Sequence, residues 1–259
     1  MTEWGIPSLR PDKLSTVVPI RTYGGGVVSD LATTLFIWRT ARLSKARGCI
    51  VGFYVDDARF EALWRNPERT TARLLSAGIA AVIEPDFSLW RDAPLVEQLW
   101  NVHRMRTLGR LWQETGLATI PNLSWSDERS FPFCFVGIPV GAPVVACECR
   151  TPGGNDADRR RFLAGLTEGV WQVQPQHVLI YGGKEHSFWL TGNLPPGPQY
   201  TLIEAWTSAR GKIRARQERG KRERNQLQLL GGDGMGGRGS ASSGVKKRRG
   251  GKNKGSTKG

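Results

Sequence analysis

The sequence predicts an α/β fold with a mostly parallel sheet, arranged as an incomplete or distorted TIM-like barrel. Short apolar runs, typical of strands buried on both faces, lie at 49–57, 79–83 and 117–123. Stretches with helical spacing of apolar residues separate them, and this alternation is the pattern of parallel sheets with right-handed crossovers. The connection 124–143 shows no helical pattern, which argues against a regular eightfold barrel.

The individual elements follow from the same patterns, taken in chain order. Pro67 is expected to kink or break the helix around it, Asp92 to cap the next helix, and Gly116 to end it. The predicted strands are 15–21, 49–57, 79–83, 117–123, 133–138, 143–149 and 177–181. The predicted helices are 30–46, 58–77, 93–114 and 157–173, with a basic helix at 202–230 after a proline-rich hinge.

Basic charge is concentrated at the C-terminus. The chain carries 37 Lys and Arg against 23 Asp and Glu, and residues 210–259 hold sixteen of the basic and three of the acidic ones. We therefore predict an α/β domain at 1–193, a hinge and basic helix at 194–230, and a disordered tail rich in Gly, Lys and Arg at 231–259. Such a tail neutralises phosphates without reading sequence, which predicts nucleic acid as a partner. The candidate nucleic-acid-binding residues are Arg214, Arg216, Lys221, Arg222, Lys246, Lys247, Arg248 and Arg249.

Cysteine usage and apolar runs indicate the compartment. The four cysteines lack the paired spacing of zinc sites, so we expect small buried thiols in a reducing cytoplasm. The chain shows neither a secretory leader nor an apolar run of membrane-spanning length, and we expect no membrane partner. It also lacks the glycine patterns of dinucleotide-binding and P-loop proteins, so no nucleotide cofactor is predicted.

Acidic residues follow the predicted strands, and in parallel α/β folds the functional site forms at the carboxyl ends of the strands. The sequence therefore predicts one rim of carboxylates. Neighbouring carboxylates raise one another's pKa unless they share a proton or a cation. The candidate catalytic residues are Asp56, Asp86, Asp127 and Glu128, and the candidate substrate-binding residues are Arg91, Ser124, Trp125, Ser126 and Arg129. The same rim is expected to include Asp57, Glu84, Asn122, Glu148 and Tyr181.

Three functions fit this rim. In the first, Asp86, Asp127 and Glu128 hold Mg²⁺ or Mn²⁺ for phosphodiester chemistry on nucleic acid. In the second, Glu84 and Glu128 are the paired carboxylates of a barrel-like glycoside hydrolase. In the third, the rim is the interface of a non-catalytic binding or assembly module, since acids at strand ends also cap helices.

Spaced motifs give the chain a family resemblance. They are YVDDARFE at 54–61, WRNPER at 64–69, PDFSLWRD at 85–92, SWSDERSF at 124–131 and FCFVGIP at 133–139. Over residues 6–183 the chain resembles domain-of-unknown-function family 4417, which is known from bacteria, phages and other mobile elements. The resemblance implies no catalytic role, because the family has no established activity. It implies that the motif positions belong to the family's own pattern and that nucleic acid is a plausible partner; these positions are Asp56, Asp86, Arg91, Ser124, Asp127, Glu128 and Arg129.

Overall fold

The protein is an α/β structure with two parallel sheets. The structure, a computed structural model, describes residues 2–25, 30–150 and 155–231, with side chains described up to 223. The first sheet has five strands in chain order: β1 (Arg21–Thr22), β2 (Thr34–Ile37), β3 (Ile50–Gly52), β4 (Ala81–Ile83) and β5 (Thr119–Ile120). The second has three: β6 (Val144–Glu148), β7 (His177–Tyr181) and β8 (Gln199–Ile203). Every pair of neighbouring strands within these two sheets is parallel, as the sequence predicts.

Helices connect most of the strands. After β3 the chain forms α1 (Ala62–Arg65) and α2 (Pro67–Ser76), and the break predicted at Pro67 is confirmed. The others are α3 (Leu95–Glu114), α4 (Phe131–Cys134), α5 (Asp156–Val173), α6 (Ser187–Leu190) and α7 (Trp206–Gly231). None of the helices within the described residues is long and apolar enough to cross a membrane.

A β-bridge and hydrogen bonds connect the two sheets. Asn122, just after β5, forms a parallel bridge with Ala146 of β6, and Leu123 N donates to Ala146 O at 2.7 Å. At the other end of the strand order, Thr22 Oγ1 donates to Glu204 O at 2.6 Å. One apolar cluster contains side chains from both sheets, among them Leu35, Ile37, Ile50, Ile83, Ile120, Val144, Leu179 and Ile203.

The helix predicted at 30–46 is wrong, because its centre is the strand β2. All four residues of β2 are buried, and the strand lies between β1 and β3. A strand covered on both faces has a continuous apolar run with no alternation. Periodicity therefore cannot distinguish it from a buried helix.

The strand predicted at 133–138 is also wrong. Pro132 lies in the first turn of α4, where proline fits because its missing N–H has no intrahelical partner. Gly137 then takes a φ of +85°, and a Cβ there would lie 2.6 Å from Pro7 O. This apolar run thus forms a short helix and a glycine turn.

Two helix starts also differ from prediction. Pro94, and not Asp92, precedes the first turn of α3, and no side chain caps it. The basic helix begins at Trp206, because residues 199–203 form β8, which pairs along its length with β7. The segment predicted as hinge and basic helix therefore contains a strand of the second sheet.

The chain divides into two compact units, Met1–Arg216 and Gln217–Gly259. The first contains both sheets and the start of α7. In the second, the described residues continue α7 to Gly231. The predicted tail begins at residue 231, which is the last residue that the structure describes. The rest of the tail, including Lys246, Lys247, Arg248 and Arg249, lies outside the described residues.

Candidate active site

A cavity of about 340 Å³ lies beside the ends of β4, β5 and β6. Its lining comes from the segments that follow β4 and β5, from the last residue of β6, and from the first half of α5. The lining residues are Asp86, Ser88, Leu89, Trp90, Arg91, Leu123, Ser124, Trp125, Ser126, Glu148, Asp158, Arg161 and Phe162. The cavity therefore forms at the carboxyl ends of parallel strands, where such folds place their sites.

Asp86 is held by a short chain of hydrogen bonds. Nδ2 of Asn122 donates to Oδ1 of Asp86 at 2.8 Å. The hydroxyl of Tyr54 donates to Oδ1 of Asn122 at 2.9 Å, which leaves the amide N–H of Asn122 directed at the carboxyl group. Tyr54 and Asn122 are both buried, so this chain fixes the position of Asp86.

The environment raises the pKa of Asp86 to about 7. Burial is the main cause, since it penalises the charged carboxylate, and the negative charge of Glu148 adds to it. Hydrogen bonds from Asn122 and Ser124 act in the opposite direction but are weaker. Near neutral pH Asp86 is therefore present in both protonation states.

Glu148 is held by Arg150. The backbone N–H and Nε of Arg150 donate to Oε1 of Glu148 at 2.7 and 2.6 Å. The guanidinium of Arg150 also lies 5.6 Å from the ring centre of Tyr181, and that ring stacks on Tyr54 at 4.7 Å. The stacked tyrosines thus lie behind both carboxyl groups. Tyr181 contacts Arg150, which binds Glu148, and Tyr54 contacts Asn122, which binds Asp86.

A buried ion pair positions the backbone of Asn122. Glu84 and Arg106 have fully buried side chains and form a salt bridge. Oε2 of Glu84 accepts from Asn122 N at 3.0 Å, and Nη2 of Arg106 donates to Asn122 O at 3.2 Å. The pair is inaccessible to substrate. The predicted role of Glu84 as a glycosidase carboxylate is therefore wrong.

Trp125 forms one wall of the cavity and is half-buried. Its ring packs against Phe162 and Phe135, with centroid distances of 5.4 and 6.2 Å. A Cβ on Gly165 of α5 would lie 2.1 Å from Nε1 of Trp125. Only glycine at that position lets the indole reach this place.

Ser124 and Ser126, two of the candidate substrate-binding residues, also line the cavity. Ser126 is buried, and its hydroxyl donates to Oε1 of Gln98 at 2.6 Å. Ser124 is half-buried, and its interaction with Asp86 lowers the pKa of that carboxyl group. Of the two, Ser124 is the one that acts on a carboxyl group of the site.

The acids predicted at 127 and 128 do not line the cavity. Asp127 accepts from the N–H of Arg129 at 3.2 Å and from its Nη2 at 2.8 Å, and this interaction lowers the pKa of Asp127. Glu128 is exposed, as is the predicted catalytic residue Asp56. Arg129 is not a lining residue either, but it contacts one, because its Nη2 also donates to the backbone O of Arg91 at 2.7 Å.

The predicted metal ligands are therefore not brought together around one cavity. Of Asp86, Asp127 and Glu128, only Asp86 lines it. Across the described residues, no three His, Cys, Asp or Glu side chains are grouped so that they could hold a metal ion. The carboxyl groups that do share the cavity near Asp86 are Glu148 and Asp158.

Comparison with known proteins gives the family. A family model described as "Domain of unknown function (DUF4417)" matches residues 26–190. The chain is 34% identical to the Gene 1 protein of Mycobacterium phage L5 over 192 residues, which are 71% of this chain and 82% of that protein. The chain belongs to the DUF4417 family. This confirms the predicted family and its phage setting.

A second phage protein is similar to this DUF4417 chain over a smaller share of its own length. The Gene 1 protein of Mycobacterium phage D29 is 37% identical over 180 residues, which are 68% of this chain and 60% of that protein. No solved structure gave a significant match. The residues that line the cavity, from Asp86 to Phe162, all fall inside the region matched by the DUF4417 model.

Several residues of the DUF4417 site were not singled out by sequence reasoning. Tyr54 belongs to a predicted buried strand and to the first of the family motifs, and the sequence predicts no role for it, although tyrosine at the end of an apolar strand is a signal for a polar contact there. Arg106 lies in a predicted helix, and the sequence predicts no role for it. Asp158 and Arg161 lie on α5, far along the chain from the strand ends, and nothing local in the sequence connects them with Asp86.

The raised pKa of Asp86 predicts how folding stability depends on pH. The unfolded carboxyl loses its proton near its ordinary pKa of 3.8, whereas the folded one keeps it to about pH 7. Between these values the unfolded state binds fewer protons, so the contribution of Asp86 to the free energy of unfolding falls as pH rises from about 4 to about 7 and is constant above. Asp86→Asn removes this contribution. We expect the variant to gain stability relative to wild type across that window, measured by urea unfolding at several pH values.

Asp127→Asn is the matched control for this measurement. Arg129 lowers the pKa of Asp127, so its ionised form stabilises the fold and is lost only at acidic pH. The Asp127 variant should therefore lose, not gain, stability near neutral pH. A stability difference for Asp86→Asn that does not change between pH 4 and pH 7 would contradict the raised pKa.

Proposed function

We propose that this DUF4417 protein is a phage enzyme that cleaves phosphodiester bonds of nucleic acid by acid–base catalysis at Asp86 and Glu148. The observation that carries the proposal is the placement of these two carboxyl groups in one cavity at the ends of β4 and β6. Their different environments support different roles. Asp86 is close to half-protonated at neutral pH, while Arg150 binds the carboxylate of Glu148.

The two roles follow from these environments. Glu148, as the general base, takes the proton of the attacking hydroxyl or water, and a new P–O bond forms. Asp86, as the general acid, gives its proton to the leaving oxygen as the old P–O bond breaks. A catalytic group works best when its pKa is near the working pH, and Asp86 meets this condition.

Arginines at the cavity support an anionic substrate. Arg91 and Arg161 line it, and Arg91 is exposed. Guanidinium groups bind phosphate oxygens through paired N–H donors. They also stabilise the charge that develops on a phosphoryl group in the transition state.

We further infer that the two sheets complete one distorted barrel of the TIM type. Three observations support this inference: the strands follow one another in chain order, the bridge Asn122–Ala146 connects the sheets, and Thr22 bonds to Glu204 beyond β8. In such barrels the site lies at the carboxyl ends of the strands. We also propose a cytoplasmic location, which agrees with four free, buried cysteines.

The basic C-terminal region is the second part of the proposal: it attaches the protein to nucleic acid. Arg216, Lys221 and Arg222 are exposed on α7, and the sequence adds Lys246–Arg249 further along. Each phosphate that a protein neutralises on duplex DNA contributes about 0.9 to the slope of log K against log salt. The C-terminal charges would thus supply affinity, and the cavity would supply the chemistry.

Replacing Lys246, Lys247, Arg248 and Arg249 together by Ser tests the attachment. We expect the slope of log K against log salt on duplex DNA to fall by about 3 to 4, measured by fluorescence anisotropy with the full-length chain. The matched control removes the same charge from exposed residues of the first unit: Arg42, Lys45, Arg47 and Arg69. If both sets change the slope equally, the C-terminal region has no special role in binding.

The cleavage assay uses full-length protein with single- and double-stranded DNA and RNA, in Mg²⁺, Mn²⁺ or chelator. The acid–base proposal expects cleavage in chelator. Cleavage that requires metal would overturn it in favour of a Mg²⁺ or Mn²⁺ site at the carboxylates, since such ions use one or two carboxylates and substrate phosphates. Binding without cleavage under every condition would overturn it in favour of a non-catalytic module. Cleavage of an oligosaccharide instead would favour a glycosidase.

A further inference from the structure

Trp90 is a large apolar side chain left in solvent at the cavity. It is 65% exposed and lines the same cavity as Asp86 and Glu148. Within the described residues, no other ring or guanidinium group packs on its indole. An exposed aromatic ring beside a concave polar site is typical of a surface that a ligand covers.

The backbone that carries Trp90 is held in place from two sides. Oδ2 and Oδ1 of Asp57 accept from the N–H and hydroxyl of Ser88, both at 3.0 Å, and Asn101 Nδ2 donates to Ser88 O at 2.7 Å. On the other side of Trp90, Arg129 donates to the backbone O of Arg91. The ring is therefore presented by an anchored segment and not by a free loop.

Two arginines line the cavity together with this ring. Arg91 follows it in the chain and is exposed, and Arg161 of α5 lines the same cavity. Arg161 forms a salt bridge with Asp158, which holds its guanidinium on that wall. An aromatic ring and arginines that line one cavity form an arrangement that binds the base and the phosphates of an unpaired nucleotide.

We propose that Trp90 stacks on an unpaired base of single-stranded nucleic acid, and that Arg91 and Arg161 bind the adjoining phosphates. The inference rests on the proposed function and specifies its substrate as single-stranded. Bases in a duplex are stacked on one another and have no free face for Trp90.

Trp90→Ala tests the stacking. Binding is measured by anisotropy in chelator, with the Asp86→Asn substitution also present, so that the oligonucleotide is not cleaved during the measurement. We expect the affinity for a single-stranded oligonucleotide to fall by about tenfold or more, while the affinity for duplex stays unchanged. Trp90→Phe should restore most of the loss, because phenylalanine keeps an aromatic face.

Two controls separate stacking from general effects. Trp171→Ala removes another exposed tryptophan, 71% exposed on α5 and not part of the cavity lining, and it should leave affinity unchanged. An abasic oligomer of the same length has the same phosphates but no bases, so Trp90→Ala should not weaken its binding. Equal losses for the abasic and normal oligomers, or for Trp90→Ala and Trp171→Ala, would overturn the proposal.

The result is independent of whether the site is catalytic. If Trp90→Ala lowers affinity only for oligomers that contain bases, and wild type cleaves nothing, the stacking site is supported and the proposed enzymatic activity is refuted. If wild type cleaves nucleic acid but Trp90→Ala does not change the affinity, the stacking site is refuted and the proposed enzymatic activity is supported. Weaker binding of an oligosaccharide, with nucleic-acid binding unchanged, would overturn the proposal and make Trp90 a sugar platform.

Discussion

Arg106→Met is expected to lower the free energy of unfolding by about 3–5 kcal/mol. The substitution leaves the carboxylate of Glu84 buried without its partner, in a place where neither side chain of the pair reaches solvent. It also removes the donors to Val136 O and Asn122 O, at 3.1 and 3.2 Å. The loss should appear as a lower midpoint in urea unfolding followed by circular dichroism.

A matched arginine on the same helix provides the control. Arg110 pairs with Glu114 at 2.9 Å, but the side chains are 37% and 54% exposed. Arg110→Met should change stability by less than about 1 kcal/mol, because solvent screens exposed pairs. If the two variants are equally stable, the buried pair does not support the fold.

The double variant Glu84→Met/Arg106→Met separates the cost of an unpaired charge from the loss of packing. Replacing both partners of a buried pair by apolar residues is often close to neutral. We expect the double variant to be more stable than Arg106→Met alone. It should still be less stable than wild type, because the backbone N–H of Asn122 loses its acceptor on Glu84.

Asp86→Asn and Glu148→Gln are each expected to lower the cleavage rate by about 10²–10⁴-fold. Asparagine at position 86 cannot give a proton to the leaving oxygen, and glutamine at position 148 cannot take one. The double variant should be little worse than either single one, because groups that act in one proton-transfer step are not additive. Rates are measured from single-turnover cleavage of labelled oligonucleotides.

The pH profile assigns the roles within the pair. Asp86 must be protonated to act as the acid, so the wild-type rate should fall as pH rises through about 7. Asp86→Asn should lose this alkaline limb. Glu128→Gln is the matched control, since Glu128 is an exposed carboxylate outside the cavity, and it should keep both the wild-type rate and the profile. A Glu128 variant as impaired as the Asp86 variant would refute the assignment.

Part of this site could be predicted from sequence because it is encoded in short stretches. Asp86 lies three residues after an apolar strand that ends at Ile83, and Ser124, Trp125 and Ser126 follow the next one. The parallel-sheet rule was therefore enough to predict that they meet. The same rule placed Asp127 and Glu128 there too, and failed. Asp127, the next residue, instead caps a short 3₁₀ helix and binds Arg129, and neither Asp127 nor Glu128 lines the cavity.

The pairing of Asp86 with Glu148 required the tertiary structure. The two residues are 62 positions apart in the chain. They meet because the bridge between Asn122 and Ala146 brings the second sheet beside the first. The same holds for Arg106. Helical spacing places this residue on α3, but only the tertiary structure shows that it is buried, with contacts to the segments that follow β4 and β5.

The sequence by itself determined the parallel α/β class, most of the strands and helices, the family, and the separation of a nearly neutral body from a basic C-terminus. These properties depend on local runs of apolar residues, on charge and on spaced motifs. The tertiary structure alone decided which carboxyl groups share a cavity and which are occupied by arginines. Burial, desolvation and hydrogen-bond partners depend on residues far apart in the chain, and they set the raised pKa of Asp86 and the buried state of Glu84.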